Sequence, residues 1–286
     1  MSTFERKPIK LRNPVQLDYC TCWGTKVVSY NSKPFLTMAD GASLTQLEEY
    51  IQQVPFSTAM YVTYDENQGW EKIKLFLSKG LPVYVKTYEV LPREVVDVLR
   101  ESQHSAVSLE VADFLEQDIP EARKMLHELK SWGVSTVLEV SHIACGSLLD
   151  TLVIIEKFKN VVGHVTVHLP EVEDEDVPSW QQPLMNTYYS PCVENRSWII
   201  KEDYRKKINE KVSSYLESRK IKFEEGISVD SDDRIRHISS VDSESPFGLP
   251  EFIYKNTGEG FEEHINPYRD SEEITLGNCP RCGKSL

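Results

Sequence analysis

From residue 34 onward the apolar positions of the chain change period in a regular beat. Short runs that read as strands alternate with segments whose apolar residues recur every three or four positions, the spacing of one helix face. "FLTM" (35–38) predicts a first strand. Asp40-Gly41 then forms a turn, Ser43 an N-cap, and Leu44, Leu47, Ile51 and Val54 a helix face. "STAMYVTY" (57–64) predicts a second strand, followed by a helix with Trp70, Ile73 and Leu77 on one side and Gly80 at its end. "PVYVKTY" (82–88) is the third strand, and Pro92 starts a helix through Val95 and Leu99. "AVSLEV" (106–111) is the fourth. The helix after it runs from about Ile119 to Trp132, apolar at Ile119, Ala122, Leu126 and Leu129 and stopped by Gly133. "VSTVLEVS" (134–141), a helix after Gly146 (Leu148, Leu152, Ile155) and a sixth strand, "VVGHVTVHL" (161–169), complete the series.

Six alternations joined by short connections predict an α/β protein with parallel strands. A closed or partial TIM-type βα barrel and an open doubly wound sheet share this pattern. The even unit length, with no Gly-rich phosphate loop after strand one, favours the parallel βα barrel, placed at 34–223. Residues 1–33 form an N-terminal segment. Beyond Leu169 the beat breaks: "PEVEDEDVPSWQQP" reads as a loop over one barrel face. A last helix at about 199–219 carries Tyr204, Ile208, Val212 and Tyr215 inward, and "KIKF" (220–223) is a candidate seventh strand. Residues 224–286, rich in Gly, Pro and Ser, read as an irregular C-terminal extension.

Charge changes this picture only locally. The formal net charge is −13, with no bulk sign of polyanion binding. Residues 224–286 hold fourteen acidic residues against six basic ones, an acidic tail suited to a protein partner. Segment 201–222 reverses the sign, with eight Lys/Arg against four Asp/Glu, and permits contact with a nucleotide or nucleic acid through its phosphates. No apolar run approaches the ~20 residues of a membrane helix, and "MSTFERKPIKLRNP" lacks an apolar signal core. With six cysteines in 286 residues, a disulfide framework is not indicated, so the expected compartment is a reducing cytoplasm.

In a parallel βα barrel, reactive groups gather at the C-terminal ends of the strands. Asp40, Tyr64, Asp65 and Thr87 stand there, and Lys86, Glu110, Glu139, His142 and His168 are polar interruptions in or beside apolar strands. Such groups cost free energy unless paired or facing a solvated cavity. These five are the candidate catalytic residues. The competing reading is a structural ion pair of Lys86 with Glu110 or Glu139. His104, His127 and His237 fall on helix or loop surfaces.

The chain ends in "NCPRCGKSL", a zinc-knuckle shape that supplies two of the four ligands a structural zinc takes. Cys20 and Cys22, in "DYCTCWG", supply another two. A four-thiolate zinc on Cys20, Cys22, Cys279 and Cys282 is therefore expected to join the chain's ends. A set using His264 and an unmetallated thiol pair are the alternatives. Cys145 and Cys192 read as buried structural residues.

The stretch "GLPVYVKTYEVLPREVVDVLRE", then "AVSLEV", "EARKMLHELKSWGVSTVLEVSHIACG" and "VVGHVTVHLP", resembles the middle and later βα units of the radical S-adenosylmethionine superfamily. Its spore photoproduct lyase and DNA-repair photolyase branch is the nearest in pattern. Lys86-Thr87 matches a lysine followed by Ser or Thr at the end of a G-x-P-V strand. Ser108-Leu109 matches an S-L strand, and Ser141 through Gly146 matches an S-P-I-I-P-G turn. The resemblance spans about residues 57–169. It implies cofactor contacts at Ser108, Ser141 and Gly146, S-adenosylmethionine and an iron–sulfur cluster as cofactors, and a nucleic-acid base or nucleotide as substrate. The family's C-x3-C-x2-C cluster motif is missing: only Cys20 and Cys22 precede the strands, one residue apart. Two functions follow, a radical-type barrel enzyme of nucleic-acid modification, repair or lyase chemistry, and a non-catalytic, zinc-stabilised binding or assembly protein.

Overall fold

The computed structural model describes residues 25–30, 33–54, 56–65, 68–102, 104–111, 118–141, 148–168, 172–173, 185, 187–192, 197–219, 227–229, 235–237 and 252–265. Its centre is a seven-stranded sheet. Strand β1 (Lys26–Tyr30) pairs antiparallel with β2 (Lys33–Met38). From β2 onward every neighbour is parallel: β4 (Ala59–Thr63), β5 (Val83–Thr87), β6 (Ala106–Glu110), β7 (Ser135–Ser141) and β8 (His164–His168). The short β3 (Phe56–Ser57) lies outside this sheet. The mixed α/β class and the six parallel strands expected from the alternation are present. Among the described residues β8 does not pair with β1.

Each parallel crossover contains one helix: α1 (Leu44–Gln53), α2 (Gly69–Ser78), α3 (Arg93–Leu99), α4 (Ile119–Ser131) and α5 (Leu148–Phe158). Ser43 caps α1 in a reciprocal capping box with Gln46, and the Asp65 carboxylate accepts from the backbone amides of Gln68 and Gly69 at the start of α2. The parallel strands occur in the sheet in the order of the chain. Right-handed crossovers that all step the same way put every helix on the same side, as in a barrel.

Side-chain alternation then divides the sheet. Met60, Val62, Val83, Val85, Val107, Leu109, Leu138, Val140 and Val165 form one hydrophobic cluster with Leu47, Ile73, Phe76, Leu99, Leu126 and Phe158 of the helices. The paired register puts Tyr61 and Tyr84 in one row of the opposite face, and Thr63, Lys86 and Ser108 in the next. Glu110 and Glu139 stand opposite each other one row further on. This second face is buried but largely polar.

Helix α6 (Glu202–Ser218) packs on α5, with Ile208, Val212 and Leu216 buried, and the predicted inward residue Tyr215 donates to Glu156. Ahead of it, β9 (Val172–Glu173), inside the expected loop, joins β10 (Tyr189–Cys192) and β11 (Ser197–Ile200) in a small antiparallel sheet, so residues 199–200, expected to open the helix, are strand. The C-terminal extension likewise departs from the irregular reading. β12 (Ile227–Val229) pairs with β13 (Ile235–His237), and β14 (Phe252–Asn256) with β15 (Phe261–Ile265). The second hairpin joins β3 and buries Tyr254 and Phe261 in the main core. Two or three inward apolar residues suffice here because the main chain carries the rest. Asn256 donates to the carbonyls of Ile51 and Val54, and the Phe261 amide to the Lys79 carbonyl at 2.7 Å.

That docking depends on Gly80, whose φ of +77° disfavours any side chain and whose Cβ would stand 2.7 Å from the Phe261 carbonyl oxygen. Gly133 has a similar φ of +84° with nothing within 4 Å of an added Cβ. Gly133→Ala is expected to cost about 1 kcal/mol. Gly80→Ala should cost roughly 2–3 kcal/mol, since displacement of the hairpin is added to the backbone strain. Urea unfolding of the two variants measures the difference, and proteolysis within 252–265 should rise only in Gly80→Ala.

Candidate functional site

Three of the five candidate catalytic residues meet on the polar face. The Lys86 ammonium stands 2.6 Å from Glu110 Oε2 and 3.1 Å from Glu139 Oε2. Lys86 is 4% exposed and Glu139 3%. Register explains the meeting: Lys86 pairs with Ser108, so it is diagonal to Glu110, while Glu110 and Glu139 are directly opposed. The structural ion pair considered from sequence is therefore present, with both carboxylates sharing one lysine. An apolar trio of similar volume would pack as stably as a buried ion cluster, or more so.

Two hydroxyls complete the cluster. Ser108 Oγ donates to Glu139 Oε1 at 2.6 Å, and Tyr84 Oη donates to the same oxygen at 3.2 Å. The Tyr84 ring stacks on Tyr61, with centroids 5.5 Å apart. Burial holds both phenols well above the usual tyrosine range, so they are donors at neutral pH. Glu139 Oε2 lies within ion-pair distance of Lys86 but makes no hydrogen bond. Burial alone would push the Lys86 ammonium down, but Glu139, Tyr61 and Glu110 together hold it above the usual lysine range. A lysine kept protonated in this way is an electrostatic partner and not a nucleophile.

Lys86 and Glu110 stand at the C-terminal ends of β5 and β6, with Ser108 and the two tyrosines deeper in the sheet. Tyr88, the residue after β5, leaves the surface there. It is 53% exposed, and its ring centroid is 5.4 Å from the Lys86 nitrogen. Further along the same edge, Asp40 accepts from the Thr63 amide at 2.8 Å and from its hydroxyl at 2.6 Å. Lys72 reaches in from α2 to donate to the carbonyls of Ala39 and Asp40, at 3.1 and 2.9 Å. Burial lowers its pKa, with Asp40 and Asp65 opposing. Lys72, Tyr84 and Tyr88 escape sequence reasoning for different reasons. Lys72 reads as a solvated helix residue and Tyr84 as ordinary strand filling. The exposed position of Tyr88 just past a strand end was its only available signal.

Ser108, predicted as a cofactor contact, is thus part of this cluster. Ser141 and His168 face each other in the backbone register of β7 and β8, at the strand ends. His142, Gly146, Cys20, Cys22, Cys279 and Cys282 lie outside the described residues. Among the described residues no group of three or more His, Cys, Asp or Glu is placed to hold a metal ion. A cavity of about 660 Å³ occurs at the opposite, N-terminal end of the strands, lined in part by Leu81, Pro82, His104, Tyr254 and Phe261. It is a seam between the sheet and the C-terminal hairpin, far from the polar cluster. His104, at φ +60°, pairs there with Glu263 at 2.9 Å. No helix among the described residues is long and apolar enough to cross a membrane.

An iron–sulfur cluster requires thiolate ligands. The turn after the first parallel strand consists of Ala39, Asp40, Gly41, Ala42 and Ser43, with no cysteine. Its carbonyls and carboxylate are already tied to Lys72 and Thr63. That donor set does not fit a cluster.

No family model matches the chain, and no curated protein matches it. Among solved structures, Streptococcus suis SuiB bound to S-adenosylmethionine is similar at 11% identity and a TM-score of 0.39, over 58% of this chain and 38% of that one. The chain thus spans well under half the length of that neighbour.

Replacing Lys86 by methionine leaves two buried carboxylates without their counter-ion, an expected loss of about 3–5 kcal/mol at neutral pH. Protonating the carboxylates relieves the repulsion, so the deficit relative to wild type should shrink as pH falls and grow as it rises. Denaturant unfolding between acid and neutral pH reads the trend. A deficit independent of pH would mean that lost packing, not lost charge, dominates.

Proposed function

We propose that this protein is an enzyme of the βα-barrel type that acts on a nucleic-acid base or nucleotide at the C-terminal ends of its parallel strands. The observation that carries the reading is the buried Lys86–Glu110–Glu139 cluster, oriented by Tyr84 and Ser108 on the polar face of the sheet. Such a set provides the parts of acid–base chemistry: a carboxylate for proton transfer and a fixed positive charge beside it. Glu110 ends its strand and is the proton-transfer group. Lys86 opposes negative charge that develops on the substrate, and Glu139 is held in place by two hydroxyls. The half-exposed ring of Tyr88 offers a base a stacking surface above the cluster. The basic segment 201–222 supplies phosphate contacts. Sequence resemblance to radical S-adenosylmethionine enzymes is the source of the substrate class. With only Cys20 and Cys22 ahead of the strands the three-cysteine motif is missing, so no step here passes through an iron–sulfur cluster or S-adenosylmethionine.

The test is incubation of purified protein with nucleoside monophosphates and short oligonucleotides, with products followed by mass spectrometry. Wild type should convert at least one of them, and Glu110→Gln should lower turnover by about 10²–10⁴ while unfolding normally. If none binds and none is converted, the reading fails.

A structural zinc on Cys20, Cys22, Cys279 and Cys282 belongs to the same proposal, closed by four thiolates and without a catalytic position. Cys279→Ser should release the metal while the sheet stays folded. Zinc retained at one per chain in that variant would rule out the four-thiolate site.

A further inference from the structure

One oxygen atom of the polar cluster bears on which base the site prefers. Glu139 Oε1 is saturated by Ser108 and Tyr84, whereas Oε2 is buried beside the Lys86 ammonium and makes no hydrogen bond. Lys86 lies closer to Glu110, at 2.6 Å. A desolvated carboxylate oxygen without a hydrogen bond is costly, and an N–H donor brought by a ligand removes that cost. The same ammonium lies 5.4 Å from the exposed Tyr88 ring. The one ammonium thus has the ring centroid at 5.4 Å and the acceptor oxygen at 3.1 Å.

From this we infer that Glu139 is a specificity-determining residue that selects bases bearing an exocyclic amino group, with Tyr88 stacking on the ring. The inference rests on the base-binding reading of the preceding subsection. An amino group such as the N4 of cytosine donates to Oε2, the pairing by which carboxylates recognise cytosine in nucleic acids. A keto oxygen at the same position, as in uracil, meets the carboxylate acceptor to acceptor and leaves both unpaired. Lys86 has donors for the adjacent ring acceptor of cytosine. Selection and stacking are separable, because Tyr88 touches the face of the base and Glu139 its edge.

Equilibrium binding of cytidine and uridine 5′-monophosphates to the full chain tests this. Wild type should bind the cytidine nucleotide at least about tenfold more tightly, the lower part of the range for one good edge contact. Glu139→Gln replaces one acceptor by an amide that also donates, so the preference should vanish or reverse. Tyr88→Ala, at a surface position that does not threaten folding, should weaken both nucleotides by about the same factor, of order tenfold. Equal binding of the two nucleotides to wild type overturns the inference and leaves the base-binding reading standing. No binding of either overturns both. A preference that survives in a folded Glu139→Gln protein assigns selection to another residue and likewise overturns the inference.

Discussion

One ammonium group inside the sheet compensates two carboxylates, and much of the architecture supplies what that arrangement needs. Lys86, Glu110 and Glu139 come from three adjacent parallel strands, so they meet only if β5, β6 and β7 pair in the observed register. A slip of one residue would send the lysine into the apolar face beneath the helices, where no counter-charge waits. The hydrophobic cluster on the helix side and the ion cluster on the other side therefore specify the same register by independent means.

The two ends of the sheet have different tasks. At the N-terminal ends the C-terminal hairpin closes over β3 and the turn after α2, with backbone hydrogen bonds and two buried aromatics as its anchors. The cavity in that seam mixes apolar groups such as Leu81 and Phe261 with the charged side chains of Lys74, Glu101 and Glu263. At the C-terminal ends the chain keeps polar groups: Asp40 with Thr63, Lys72 on the carbonyls of residues 39 and 40, then the Lys86 cluster and the Tyr88 ring. The tether from Lys72 stiffens the turn after β2.

Most of the fold was legible because it rests on local periodicity. Helices α1 to α5 arise from apolar spacing and from punctuation such as Ser43, Pro92, Gly80 and Gly133, all of which act within a few residues. The sequence also marked Lys86, Glu110 and Glu139 as misplaced polar residues, since each interrupts an apolar strand. What it hid were contacts that depend on distant partners: Tyr84 and Ser108 holding Glu139, Lys72 crossing from a helix to a strand end, and a hairpin made from residues taken as irregular tail. The sequence by itself determined the alternating strands and helices of the main sheet from β2 to β8, their parallel succession and the presence of charge in the strands, because those properties are written in neighbours along the chain. Which charges meet, which oxygen lacks a hydrogen bond and which end of the sheet the tail covers were decided by tertiary structure alone, because each depends on register between strands twenty or more residues apart.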